Sequence, residues 1–253
     1  MSLRPHDPEQ SALSLRGPDP IPATQLLDTW QEAAGQHPLH RALTLLRLGE
    51  PDLPLDAAAT LPLGERDRRL FTLRERLSGG VFDAVAGCVA CGESMELGFT
   101  AADLLSSIPK VTPDALIEHG DLELRLRPPS TLDAMRAAAM PSRAAARALL
   151  LECCVSGTGE PLPDGLIARV EARLEEIDPL ADIRLDVQCP ACGHRGDAPF
   201  DVGAYLWAEI DARARMLLRD VDTLARTYGW AEADILAMDP RRRQAYLAFQ
   251  DAP

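Results

Sequence analysis

The chain has few aromatic side chains, 4% of its 253 residues, and fewer positive than negative charges. Scarce aromatics beside abundant Ala, Leu and Arg argue against an aromatic-rich β-sandwich and for a helix-rich protein. A net charge of −13 argues against a dedicated nucleic-acid binder, whose phosphate contacts need a basic face. No run of about 18 apolar residues occurs, so no membrane-spanning helix is expected. Met1 to Pro22 is polar and broken by prolines, without the apolar stretch of a signal peptide. A Walker A loop, a G-x-S-x-G elbow, an H-E-x-x-H helix and paired Rossmann glycines are all missing. The expectation is a cytoplasmic protein that is not an enzyme.

Cysteine is present in a telling pattern. Four of the six form Cys88-Val-Ala-Cys91-Gly92 and Cys189-Pro-Ala-Cys192-Gly193. Each is C-x₂-C followed by glycine, a turn that points two thiolates at one ion. One such knuckle supplies two ligands and a structural zinc site takes four, so the two are expected to share one structural zinc per chain. Disulfides within each knuckle and redox-active pairs are the alternatives, although a thioredoxin-type pair belongs at a helix N-terminus. Iron could replace zinc. His194, next to the second knuckle, is a further ligand candidate whose plainer role is at the surface. Cys153 and Cys154 fall on an Ala- and Leu-rich helix and read as core.

The knuckles also form an internal repeat. Cys88 to Phe99 lies over Cys189 to Phe200 without a gap, matching Cys, Ala, Cys, Gly and Phe, and Leu105 then matches Leu206. Alternating residues on both sides of each knuckle predict strand, knuckle, strand, then helix, twice over. The fold class expected is α+β, mainly α-helical: a split zinc ribbon of two β-hairpins, a helical insertion between them and a long C-terminal helix. The expected domains are a disordered arm at 1–22, a helical region at 23–78, the split ribbon at 79–202 with an α/β insertion at 107–180, and C-terminal helices at 203–253. Arg66, Asp67, Arg68, Arg69, Arg74, Glu75 and Arg76 are expected on a solvated face of a helix near Glu65–Leu77. The long helix has an apolar seam from Leu206 through Ile210, Ala214, Leu217, Val221 and Leu224 to Tyr228, with Gly229 as its stop.

Four further stretches carry a resemblance. They are Leu61-Pro-Leu-Gly-Glu-Arg-Asp67, Leu124-Arg-Leu-Arg-Pro-Pro-Ser-Thr131, the run from Leu224 through Tyr228-Gly229-Trp230 to Leu236, and Arg241-Arg-Arg-Gln-Ala-Tyr-Leu247. With the two knuckles, their order resembles the T4-type baseplate protein family, the baseplate hub assembly chaperones. The likeness is greatest to the zinc-knuckle members associated with phage-tail-like contractile injection systems. It implies a non-enzymatic chaperone or scaffold role in building a tail baseplate, with baseplate, hub or spike proteins as partners and possible incorporation into the particle. Tyr228 and Trp230 are then candidate partner anchors, and Arg241, Arg242 and Arg243 are candidates for an acidic partner surface. Two other functions stand beside this one, a zinc-ribbon module for nucleic acid or transcription and a thiol redox protein. Glu93, Glu96, Asp186 and Asp197 around the knuckles speak against the first of these.

Overall fold

Two antiparallel hairpins in matching register carry the knuckles at their tips. The first joins β2 (Val81–Gly87) to β3 (Ser94–Thr100), and the second joins β7 (Arg184–Gln188) to β8 (Arg195–Pro199). Their registers correspond: Val85 faces Glu96 as Asp186 faces Asp197, and Ala84 faces Leu97 as Leu185 faces Ala198. The likeness continues into the helices that follow. The Thr100 hydroxyl accepts the N–H of Asp103 at 3.0 Å, and the Asp201 carboxylate accepts that of Ala204 at 2.9 Å. Each second strand thus ends in an N-cap that satisfies a backbone donor of its helix. The computed structural model describes residues 3–6, 21–120, 122–158 and 162–249. Within them the fold is α+β and mainly helical.

The first hairpin gains a third strand from the start of the chain. Arg4 and Pro5 form β1, pair with Val85 and Ala84, and place Leu3 in the core. This corrects the expected disordered arm at its near end, because Leu3 and Pro5 are apolar enough to cover β2. Most of that arm, residues 7–20, lies outside the described residues.

Helices α1 (Ala23–Ala33) and α2 (Pro38–Gly49) form a helical hairpin within the helical region expected at 23–78. The His37 ring nitrogen accepts the Leu39 N–H at 3.3 Å and Pro38 opens α2. Leu26, Leu27, Ala33, Ala42, Leu43 and Leu46 are buried on the inner faces of the pair. The short α3 (Leu55–Thr60) leads to α4 (Leu63–Ser78), which is packed around most of its girth and keeps Thr72, Glu75 and Arg76 exposed. Of the charge run expected on a solvated face, Glu75 and Arg76 are exposed and Arg68 and Arg69 partly buried, but Arg66, Asp67 and Arg74 face the interior and are buried. Each has a partner inside. Arg66 binds Asp67 at 2.6 Å, and Arg74 reaches Glu209 at 3.0 Å, bonds the carbonyls of Gly79 and Val81, and lies over the Phe82 ring.

After α5 (Ala101–Ser107) the chain builds a second, smaller core. Strands β4 (Ala115–His119), β5 (Leu122–Leu126) and β6 (Val155–Ser156) form one antiparallel sheet beside α8 (Asp164–Ile177). Ile117, Leu124, Leu126, Leu166, Val170 and Ile177 meet there. Between β5 and β6 lie α6 (Thr131–Ala138) and α7 (Arg143–Cys154), capped by Ser130 and Ser142. The Thr112 N–H donates to the Ile177 carbonyl at 2.8 Å, so this unit leaves and rejoins the chain at one neck.

Helix α9 (Val202–Tyr228) crosses the main core. Its seam is buried at Leu206, Ile210, Ala214, Leu217 and Leu224, while Tyr228 at the end is exposed. Gly229 stops the helix with φ of 70°, a left-handed conformation open to glycine. Helices α10 (Glu232–Ala237) and α11 (Pro240–Ala248) then fold back on it. No helix among the described residues is long and apolar enough to cross a membrane.

Candidate metal centre

Each knuckle is closed by the same two backbone bonds. In the first, the Cys88 N–H donates to Glu93 O at 2.8 Å and the Gly92 N–H to Cys88 O at 2.9 Å. In the second, Cys189 donates to His194 O at 2.8 Å and Gly193 to Cys189 O at 2.9 Å. Gly92 and Gly193 have φ of 78° and 72°, which explains why a glycine follows each second cysteine. In both, the first cysteine is buried and the second exposed.

The fold brings the four sulfur atoms together, all within 4.8 Å of one another. Across the two knuckles, Cys88 Sγ lies 3.7 Å from Cys192 Sγ, and Cys91 Sγ lies 3.7 Å from Cys189 Sγ. A disulfide needs about 2.05 Å, and all six cysteines are free thiols. A tetrahedron of sulfurs around an ion with bonds of about 2.3 Å has edges of about 3.8 Å. The cluster is thus of a size to hold one metal ion, drawn from the residues that the spacing singled out. His194 is exposed and contributes its carbonyl to the turn, outside the sulfur cluster.

Thiols this close have unequal acidities. Backbone N–H groups of Cys91 and Ala90 aimed at the Cys88 sulfur lower its pKa to about 6. The Ala90 N–H lies 3.4 Å away. At Cys91 the Glu93 N–H pulls downward, but the Cys192 thiol, burial and the other two sulfurs push the pKa up to about 12. A cation in the centre would offset this repulsion, since a coordinated thiol is deprotonated outright. Neither knuckle sits at a helix N-terminus, the setting of a thioredoxin-type pair. Cys154 is buried at the end of α7 and burial pushes it up to about 12, as befits an inert thiol.

The candidate docking residues divide. Tyr228 and Trp230 stack with centroids 4.5 Å apart, and Tyr246 meets the Trp230 ring edge-on at 4.9 Å. Phe249, 67% exposed, extends the group. Arg241 and Arg242 are exposed beside it. Arg243 is removed from the docking set: it is 1% exposed and binds Asp220 of α9 at 3.2 Å. It lies on the inner face of α11, one helical step round from the two that face water.

A polar junction escaped the sequence reading. Leu63 N–H donates to Pro129 O at 2.9 Å, Gly64 N–H to Asp178 at 3.0 Å, and Arg66 to the Thr131 hydroxyl at 3.2 Å. Two of the stretches noted above, Leu61–Asp67 and Leu124–Thr131, thus grip each other across the junction between the main body and the smaller core. No local pattern in either stretch, or at Asp178, signals this long-range partnership. Compared with models of known families, with curated proteins and with solved structures, the chain matches none.

Proposed function

We propose that the protein is a non-enzymatic assembly factor, a chaperone or scaffold, in which one structural zinc clamps two distant chain segments into one body. The observation that carries this is the cross-knuckle sulfur spacing of 3.7 Å. It suits a closed four-thiolate shell, which leaves no coordination position for substrate and is the usual structural home of zinc. In this reading Cys88, Cys91, Cys189 and Cys192 hold the ion, which stabilises the fold and does no chemistry.

The partner class follows from the resemblance to the baseplate hub assembly chaperones: baseplate, hub or spike proteins of a contractile tail. The surface that suits such a partner is the aromatic group Tyr228, Trp230, Tyr246 and Phe249 flanked by Arg241 and Arg242. Aromatic and arginine side chains are the usual anchors of protein interfaces. The test is co-purification of the tagged chain from a host that makes the injection apparatus. Baseplate, hub or spike proteins should be recovered with wild type and lost with Trp230→Ala plus Tyr246→Ala, at unchanged metal content. Normal particle yield in a deletion strain would overturn the proposal.

A further inference from the structure

The two hairpins are equivalent, yet only one has its outer edge covered. In the first, β1 lies along β2, with Arg4 opposite Val85, Pro5 opposite Ala84, and the His6 N–H donating to Asp83 O at 2.9 Å. The residues of β7 equivalent to Asp83, Ala84 and Val85 are Arg184, Leu185 and Asp186. Cys189 and Ile183 bond inward to the β8 side, through His194 and Phe200. By the alternation of an antiparallel ladder, the backbone groups of Arg184, Asp186 and Gln188 point outward. Among the described residues no strand pairs with them. All three are exposed, and Asp186, Gln188, Arg195 and Asp197 line an open concavity of about 570 Å³ on the adjoining face.

Charge indicates what fits there. On the covered hairpin, β1 sets Arg4 and His6 on the solvent face, and the His6 ring reaches Glu96 at 2.9 Å. Asp197 is the counterpart of Glu96, and in place of Val85 the second hairpin has another acid, Asp186, directly opposite Asp197. Like charges directly opposite are unfavourable. Arg184 contacts Asp197 at 2.6 Å, which leaves Asp186 without an ion-pair partner among the described residues. A second copy adding β7 to β7 around Asp186 would place two aspartates face to face.

We propose that the outer edge of β7 takes up an extended segment of another protein as an antiparallel strand, with Lys or Arg opposite Asp186. Backbone hydrogen bonds would supply the affinity and the Asp186–Asp197 pair the preference for a basic strand. The inference is independent of the apparatus named above, since it rests on the repeat alone.

The test uses the whole metal-loaded chain and fluorescence anisotropy at physiological salt. The probes are a short peptide alternating valine and lysine, its glutamate counterpart, and the lysine peptide N-methylated along one edge. The lysine peptide should bind at least about tenfold more tightly than the glutamate peptide, and N-methylation should abolish binding at equal charge. Asp186→Pro removes an outward N–H without touching the β8 ladder, so it should lose the peptide while keeping metal content and melting temperature. Asp186→Lys should reverse the charge preference, which keeps the test decisive should the proline variant misfold. Equal binding of the N-methylated peptide, or of both charge types, would overturn the proposal. So would a dimer abolished by Asp186→Pro, which would assign the edge to a second copy.

Discussion

Phe99 and Phe200 meet edge to face, with ring centroids 5.1 Å apart and planes at 88°. They are the same position in the two copies of the repeat. The hairpins therefore touch at both ends, through sulfur at the tips and through phenylalanine at the base. Phe82 and Tyr205 complete the packing, with Phe82 stacked on Phe99 at 4.9 Å. Phe200→Ala should cost about 3–5 kcal/mol in urea unfolding. Phe99→Ala should cost less, because Phe99 is half-buried. A loss below about 1 kcal/mol at Phe200 would contradict the role given to this contact.

The sulfur cluster leads to a second expectation. Elemental analysis should find one zinc per chain in wild type and none in Cys88→Ser plus Cys91→Ser, with a lower melting temperature in the variant. Cys88 titrates at about 6, but Cys91 is held at about 12 in the metal-free cluster. Metal must therefore displace protons at neutral pH, and its apparent affinity should rise with pH. Competition against a chromophoric chelator at about pH 6.5 and about pH 8 measures this, and equal affinities would refute it.

Arg74 and Glu209 form an ion pair that is almost completely buried, with side chains 3% and 0% exposed. Removing one member leaves the other charge in the core. Arg74→Met should destabilise by about 3–5 kcal/mol, and Arg74→Met with Glu209→Met should recover a large part of that. A double-mutant cycle by denaturant unfolding reads the coupling, and strictly additive losses would show that the pair does not act as a unit.

Asp178 gives a pH signature. Its carboxylate is 2% exposed, and burial raises its pKa to about 6, with the Gly64 N–H opposing and the Asp67 charge adding to the rise. The folded form holds its proton more tightly than the unfolded form. Stability should therefore fall as pH rises from about 4 to about 6, then stay level with respect to this group. Asp178→Asn keeps an acceptor for Gly64 and removes the buried charge, so it should gain roughly 1–3 kcal/mol at neutral pH and lose that slope. An unchanged pH profile in the variant would contradict the assignment.

Much of this architecture was legible in the sequence because it is written in local spacing. The C-x₂-C-G turns, the strand alternation around them, the shared phenylalanine and the seam of α9 each report on a few neighbouring residues. The burial of Arg66, Asp67 and Arg74 was hidden, because a charge run on one helix looks solvated until its partners are found. Arg66 and Asp67 neutralise each other as neighbours, but the Thr131 and Glu209 that complete the buried contacts of Arg66 and Arg74 are far away in sequence. The inward turn of Arg243 depended likewise on Asp220 of another helix. The pairing of β1 with β2 was hidden because a two-residue strand has no periodicity to read.

The neck at Thr112 and Ile177 has a consequence for how this chain can change over time. A unit whose entry and exit are joined by one hydrogen bond of 2.8 Å adds almost no span between the hairpins it interrupts. Its length then matters little to the meeting of the two hairpins, since the closure entropy of a loop grows only slowly with the number of residues in it. The parts of the smaller core that lie away from Pro129 and Thr131, which hold Leu63 and Arg66 of the main body, can be lengthened or trimmed while the two hairpins keep their places. The repeat is thus a fixed socket, and the outer part of the segment it brackets is the portion free to vary.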